Sequence, residues 1–245
     1  FTKFGSDFPK QYLTEHKINL MNSESEKNTT KFSISISGSD RTLKLENECD
    51  PIEYSNLDAD GHIVSPIFHE ISDDVFKKIK SDSNFLFVDP QGFLRQKDSN
   101  GNVILKKTDL DLSDVNAIKI NPEEGQNIVS GSHDEMMLAL QKKGIEYVLL
   151  TNKVDVSLLV KNRVYSLKLP NKTVHDTTGI GDIFCSAFTC TMLKEKDFLW
   201  ALCFAAGSAQ AALESNNVGL QKIPKKGMVE NNASYFYNLV DFRDL

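Results

Sequence analysis

The segment HDTTGIGDIFCSAF, residues 175–188, brings together two glycines, an aspartate and an apolar run that predicts a buried helix. The first backbone N–H groups of a helix have no intrahelical partner and lie at the positive end of its dipole, so a helix start attracts anions. Glycine allows a tight turn there and leaves room for a bulky ligand. We therefore expect Gly179, Ile180 and Gly181 to present N–H donors to an oxyanion.

Asp182 directly follows this predicted anion site, where its negative charge would repel a phosphate. Phosphoryl transfer to an alcohol gives the carboxylate a role, because a nearby carboxylate can orient the attacking hydroxyl and accept its proton. A structural interpretation is also open, since acids are favoured in the first turn of a helix and glycines in turns. The tetrapeptide Gly-Ile-Gly-Asp by itself fits both interpretations.

The flanking residues extend this motif to DTTGIGDIF, residues 176–184, which resembles the D-T-T-G-A-G-D-x-F signature of the PfkB family of carbohydrate kinases. This family comprises the ribokinase-like sugar and nucleoside kinases. Within the signature, the one difference is Ile180, where the family usually has alanine. The resemblance implies that Asp182 is the catalytic base. It also implies that the backbone of Gly179, Ile180 and Gly181 forms the anion hole for the migrating phosphoryl group.

Two further segments resemble elements of the same family. KINPEEG, 119–125, resembles its N-x-x-E element, which implies that Asn121 and Glu124 help to place Mg²⁺ and the nucleotide phosphates through water. An Asn-Pro turn before an acidic helix start explains the same residues without a ligand. FVDPQGFLR, 87–95, resembles a D-P-x-G-x-x-R segment, which makes Asp89 and Arg95 candidates for acceptor contacts. The candidates for cofactor binding are Thr151, Asn121, Glu124, Asp176 and Thr178.

The resemblance covers nearly the whole chain, but it begins at an internal point of the family's sequence. FGSDF, 4–8, resembles the family's G-x-D-x-F element, which normally lies further from the N-terminus. The family's N-terminal strand and Gly-Gly element have no counterpart, so we expect an N-terminal piece to be missing. The family's T-x-G-x-x-G glycines are absent after Thr151, and Ala206 stands where the family often has asparagine. These departures keep a second hypothesis open, a non-catalytic nucleotide or sugar sensor on the same fold.

The elements that must position these residues follow from the apolar patterning. Four short apolar runs contain or end in Asp, Asn or Pro, at residues 63–68, 84–90, 117–122 and 147–152. This pattern predicts strands that are followed by loops at one edge of a sheet. Ser72 predicts the start of one helix, and Ser132 with Glu135 predicts a capping box at another. Residues 156–170 predict a hairpin that turns at 161–162, followed by helices at 181–194 and from Asp197 onward.

Alternating strands and helices predict an α/β fold with a mostly parallel central sheet and helices on both faces. The resemblance makes this fold ribokinase-like. Alternation across residues 32–45 predicts a hairpin, which we expect to form a small β lid or appendage within about residues 30–66. We expect residues 1–245 to form one domain.

Composition excludes several classes of function. A net charge of −6 over 245 residues disfavours nucleic-acid and anionic-membrane partners. No apolar run reaches the roughly 18–20 residues of a membrane span, and no signal segment opens the chain, so we expect a soluble cytoplasmic protein. P-loop, G-x-S-x-G and H-E-x-x-H motifs are absent. The expected function is an ATP- and Mg²⁺-dependent kinase for a small polyol, and the β appendage could pair across a homodimer.

Overall fold

The computed structural model describes residues 1–37, 40–170 and 176–245. Gly38 and Ser39, within the predicted hairpin, and His175, which precedes the signature, lie outside the described residues. The strands are β1 (Lys31–Ser37), β2 (Asp40–Asn47), β3 (His62–Val64), β4 (Leu86–Val88), β5 (Arg95–Lys97), β6 (Val103–Leu105), β7 (Ala117–Ile120), β8 (Tyr147–Asn152), β9 (Asp155–Val160), β10 (Arg163–Lys168) and β11 (Asp241–Asp244). The α-helices are α1 (Gln11–Glu15), α2 (Asp73–Asp82), α3 (Gln91–Leu94), α4 (Pro122–Ile128), α5 (His133–Lys142), α6 (Ile180–Glu195), α7 (Phe198–Leu213) and α8 (Lys226–Tyr237), and a 3-10 helix spans Gly219–Lys222.

The central sheet has the strand order β11-β10-β9-β8-β7-β4-β3. β3, β4, β7 and β8 are parallel, whereas β8 to β11 pair antiparallel. The sheet is therefore mixed, with a larger antiparallel share than predicted. The reason is chain connectivity: two-residue turns at 153–154 and 161–162 join β8 to β9 and β9 to β10, and such turns permit only antiparallel pairing.

Helices cover both faces of this sheet, as predicted. Successive side chains of β8 point to opposite faces, so Tyr147 and Leu149 pack with α6, α7 and α8. Val148 and Leu150 pack into the second core, with α2 and α5. The α/β prediction is confirmed, and this two-sided burial explains why the central strands are apolar runs rather than alternating ones.

Local caps start the helices where the sequence predicts them. Ser72 accepts a hydrogen bond from Val75 N–H at the start of α2, and Ser132 with Glu135 forms the capping box of α5. Asp197 caps α7, a helix with a largely buried surface, as expected from its apolar composition. These side-chain acceptors satisfy backbone N–H groups that have no partner within the helix.

The predicted N-terminal hairpin is present as β1 and β2, which form a two-stranded sheet of their own. A second two-stranded sheet, β5 and β6, was not predicted. Leu45 N–H donates to the Gly101 carbonyl at 3.1 Å, so the two hairpins are joined through the β5–β6 turn. Within the three described ranges, no helix is both long enough and apolar enough to span a bilayer.

Candidate active site

Polar residues follow three of the parallel strands at the same edge of the sheet. Ser65 comes after β3, Asp89 after β4 and Asn121 after β7. Asp89 N–H donates to the Val64 carbonyl at 2.8 Å, which ties the ends of two strands together. The carboxyl ends of parallel strands are where ligands bind in open α/β sheets, and the predicted edge is therefore the candidate site.

Asp182 lies in the first turn of α6 and reaches this edge. Its Oδ1 accepts a hydrogen bond of 2.9 Å from the Ser65 hydroxyl. The carboxylate lines a cavity and is exposed to it, but partial desolvation by the surrounding protein raises the pKa of Asp182. The Ser65 hydrogen bond lowers that pKa, nearby Asp89 raises it, and Lys119 and Arg95 lower it, with a net shift upward. A carboxylate of raised pKa is better matched to accepting a proton near neutral pH.

A buried ion pair lies beneath the start of α6. Lys119 Nζ donates to Asp89 Oδ2 at 2.7 Å, and the two side chains are only 8% and 6% exposed. Desolvation lowers the pKa of Lys119, but Asp89 and Glu124 outweigh it and raise the pKa above its ordinary value. Lys119 therefore keeps its charge, as a buried amine does only beside a counter-ion. Lys119 was not among the predicted site residues, although a lysine inside the apolar strand β7 indicates a buried charge that needs a partner.

Asn121 and Glu124 form a capping box at the start of α4. Asn121 Oδ1 accepts from Glu124 N–H at 2.8 Å, and Glu124 Oε2 accepts from Asn121 N–H at 2.8 Å. Glu124 is 1% exposed, and burial raises its pKa even though Lys119, 3.9 Å away, acts in the opposite direction. The acidic helix start considered from sequence is thus real, and it holds Glu124 beside the Lys119–Asp89 pair.

The predicted anion hole is the first turn of α6. Gly179 is the N-cap in the left-handed conformation, with φ +78°, a backbone that favours glycine. Ile180 N–H donates to the Thr177 carbonyl at 3.3 Å, whereas the N–H groups of Gly181 and Asp182 have no acceptor among the described residues. A Cβ on Gly181 would lie 3.5 Å from Lys119 Nζ, so this turn rests on the buried ion pair.

A cavity of about 1120 Å³ opens beside this turn. Thr178, Gly179 and Asp182 form part of its wall. Most of the remaining lining comes from α6, α7, the segment 8–15 and the segment 218–229, and much of it is apolar, including Phe8, Tyr12, Phe204, Leu220 and Ile223. A largely apolar cavity with a few convergent polar groups is the usual form of a small-molecule site.

The chain matches the family description "pfkB family carbohydrate kinase" over residues 39–226. The chain belongs to the PfkB family. Solved structures of ribokinase-family proteins have the same fold. The sulfate complex of a pyrophosphate-dependent kinase in the ribokinase family has a TM-score of 0.72 and 20% identity, covering 85% of this chain and 75% of that one.

Two ribokinases match more of this PfkB chain at lower identity. Ribokinase from Thermotoga maritima has a TM-score of 0.73 and 15% identity, with coverage of 95% and 80% of the two chains. Ribokinase from Arabidopsis thaliana, complexed with ribose and ATP, has a TM-score of 0.69 and 17% identity, with coverage of 95% and 80%. No curated protein sequence matches the chain. The confirmed resemblance is therefore to the family and its ribokinase-like fold.

The structure of this PfkB chain brings together only part of the predicted set. Asp182, Gly179 and Thr178 meet at the cavity, and Asp89, Asn121 and Glu124 lie behind them around Lys119. Asp176, a predicted cofactor-binding residue, instead pairs with Lys222 at 2.7 Å, and this ion pair was not predicted.

The two other predicted residues of the PfkB site lie away from the cavity wall. Arg95 donates to the Ile67 carbonyl at 3.0 Å and lies over the Phe32 ring, where its charge still acts on Asp182. Thr151 lies in β8, paired with Val156 in the β8–β9 hairpin. Neither residue is part of the cavity lining.

Proposed function

We propose that this chain is a kinase that transfers the γ-phosphoryl group of ATP to a hydroxyl of a small polyol, a sugar, cyclitol or nucleoside. One observation carries the proposal: Asp182 faces a cavity of about 1120 Å³, next to the N–H groups of Gly181 and Asp182, for which the described part of the chain offers no acceptor. Ligand sites typically measure about 300–1,000 Å³, so this cavity has room for a donor and an acceptor together.

Asp182 is the base in this proposal. Ser65 holds Oδ1 of the carboxylate, which leaves Oδ2 to orient the acceptor hydroxyl and to take its proton as the new O–P bond forms. The backbone of Gly179, Ile180 and Gly181 stabilises the transferring group, and the Gly181 N–H is available for this because no other described residue accepts from it. Lys119 lies under this turn and adds positive charge that partly offsets the carboxylates around it.

Mg²⁺ is implied by the family, and the donor set fits a water-mediated ion. In the part of the chain that the structure describes, no three His, Cys, Asp or Glu side chains cluster to hold a metal alone. Mg²⁺ keeps several waters and binds chiefly through substrate phosphates, where it neutralises charge during transfer. Asn121 is partly exposed at the sheet edge and would contact the hydrated ion, whereas Glu124, 1% exposed, would act behind it by holding Asn121 through the capping box.

Two alternatives have support of their own and belong in the test. The β8–β9 connection after Thr151 is a two-residue turn at 153–154 without glycine, and Ala206 offers no polar contact to a nucleotide. A nucleotide or sugar sensor without transfer activity is therefore the second candidate. Because one similar fold belongs to a pyrophosphate-dependent kinase, pyrophosphate is the second donor to test. A cytoplasmic location and a homodimer stay predictions.

The test incubates the protein with Mg-ATP or Mg-pyrophosphate and a panel of sugars, cyclitols and nucleosides, and measures ADP or phosphate release. We expect acceptor-dependent release that falls about 10²–10⁴-fold in Asp182→Asn. Asp74→Asn is the matched control, since Asp74 is an exposed aspartate in the first turn of α2, as Asp182 is in the first turn of α6, and is not part of the cavity lining. Protection by ATP in a thermal melt without transfer to any acceptor would support the sensor, and full activity of Asp182→Asn would refute the base assignment.

A further inference from the structure

A buried lysine contacts the loop that leads into the candidate anion hole. Lys222, the last residue of the 3-10 helix, is 2% exposed, although lysine is rarely buried without a partner. Its Nζ donates to Asp176 Oδ2 at 2.7 Å, to the Asp176 carbonyl at 3.0 Å and to the Thr178 carbonyl at 3.1 Å. An ammonium has three donors, so all of them are used on one short loop.

These contacts fix the backbone immediately before Gly179. Asp176 also accepts from Thr178 N–H at 2.9 Å through its other carboxylate oxygen, so the loop is closed from both sides. In a trans peptide the carbonyl and the following N–H point in opposite directions. A Thr178 carbonyl held on Lys222 therefore sets the direction of the Gly179 N–H, the first donor of the predicted anion hole.

The positive charge of Lys222 stabilises this loop in addition to the hydrogen bonds that Lys222 donates. Three oxygens, one of them ionised, converge on a single ammonium, and without a cation they would repel one another. The Lys222 hydrogen bond holds the pKa of Asp176 far below its usual range, with hydrogen bonds from Thr178 acting in the same direction. Because that pKa is depressed, the interaction is fully present at neutral pH and is lost only in strong acid.

Lys222 also connects this loop to the wall of the cavity. Gly219, Leu220 and Gln221, from the same 3-10 helix, line the cavity together with Thr178 and Gly179. The Lys222 side chain therefore links two parts of the site. One is the cavity wall that would contact a ligand, and the other is the turn that would bind the ligand's phosphoryl oxygens.

We propose that Lys222 is a positioning residue of the transfer site, an internal cation that holds residues 176–179 in the conformation in which the α6 amides bind phosphoryl oxygens. This inference rests on the proposed function for its kinetic consequences, but the order of the loop can be measured without any ligand.

The structure provides a matched control. Lys80, at the end of α2, is also buried, and its ammonium donates to the Asp111 carboxylate, the Asp111 carbonyl and the Ser113 hydroxyl. Lys80→Met thus removes the same kind of interaction, but on the opposite face of the sheet from α6 and the anion hole. A stability loss common to both variants can then be separated from a specific effect at the loop.

The first experiment compares amide hydrogen exchange in Lys222→Met, Lys80→Met and the unaltered protein without ligand. We expect exchange in peptides covering residues 176–182 to rise at least tenfold in Lys222→Met and to stay unchanged in Lys80→Met. The affinity for Mg-ATP or pyrophosphate should fall about tenfold in Lys222→Met alone. Equal exchange in both variants at this loop, or unchanged affinity in Lys222→Met, would overturn the inference.

The second experiment tests the charge by rescue. Lys222→Ala is titrated with ammonium chloride, and with tetramethylammonium chloride at the same ionic strength. Ammonium can donate to the three oxygens at ordinary N–H···O distances, whereas tetramethylammonium has no N–H group. We expect ammonium alone to restore loop protection and donor affinity several-fold, and equal effects of the two salts would refute an internal cation. A protein that shows this protection but no transfer refutes the proposed kinase and leaves the role of Lys222 intact.

Discussion

Replacing Lys119 with methionine removes the positive charge from a buried pair and leaves Asp89 without its counter-ion. The Nζ–Oδ2 distance is 2.7 Å, and both side chains are less than a tenth exposed. Breaking such a buried pair from one side costs about 3–5 kcal/mol, compared with the roughly 5–15 kcal/mol by which folded domains are stable. We expect Lys119→Met to lower the free energy of unfolding by this amount.

The cost should depend on pH because Glu124 lies 3.9 Å from the same ammonium. Burial raises the pKa of Glu124 and Lys119 opposes that shift, so removal of Lys119 should raise the pKa further. An acid whose pKa is higher in the folded state binds more protons there, and folding then becomes more favourable as the pH falls through that pKa. The deficit of Lys119→Met should be largest at neutral pH and smaller in mild acid.

Urea denaturation at neutral and mildly acidic pH measures both effects. The double variant Lys119→Met/Asp89→Asn tests the pairing itself, because removing both charges should recover part of the loss. A loss below about 1 kcal/mol for Lys119→Met, the range of exposed pairs, would refute the reasoning. A loss that does not change with pH would refute the role of Glu124.

Three further outcomes follow from the same region. Gly179→Ala should lower the free energy of unfolding by about 1–2 kcal/mol, because alanine is strained at φ +78°. Gly181→Ala should instead leave the free energy of unfolding unchanged or raise it by up to about 1 kcal/mol, since its Cβ would lie at an ordinary 3.5 Å from Lys119 Nζ and alanine favours helices. Urea denaturation measures both changes, and destabilisation of equal size in the two variants would contradict the backbone argument. Ser65→Ala removes a hydrogen bond that lowers the Asp182 pKa, so the acidic limb of the pH profile of kcat/KM should move to higher pH. An unmoved limb would mean that Asp182 does not titrate in the transfer step.

Local signals accounted for most of the predicted elements. The starts of α2 and α5 could be read because a cap is a contact between a side chain and a backbone N–H three residues away. Helix α8 was missed, and its N-cap Lys225 makes no capping hydrogen bond. Strand β11 was missed because all four of its residues are exposed and show no apolar alternation.

The pairing of the strands was predicted less completely than the strands themselves. The apolar runs at β4, β7 and β8 indicated buried parallel strands, and these strands are parallel. The hairpin over 156–170 was also predicted, but its pairing with β8 and β11 was not. Strand order across a sheet depends on contacts between distant segments, which apolar periodicity does not encode.

The start of α6 follows from the local sequence alone. Gly179, Gly181 and Asp182 are contiguous, so the conformation that one helix start imposes is enough to define their arrangement. The residues that surround that turn come from distant parts of the chain and are set by the fold. Ser65 reaches Asp182 across 117 positions, and Lys222 reaches Asp176 across 46. Such pairs meet because strand ends converge at one sheet edge and burial forces each charge to find a partner, conditions that exist only once the chain has folded.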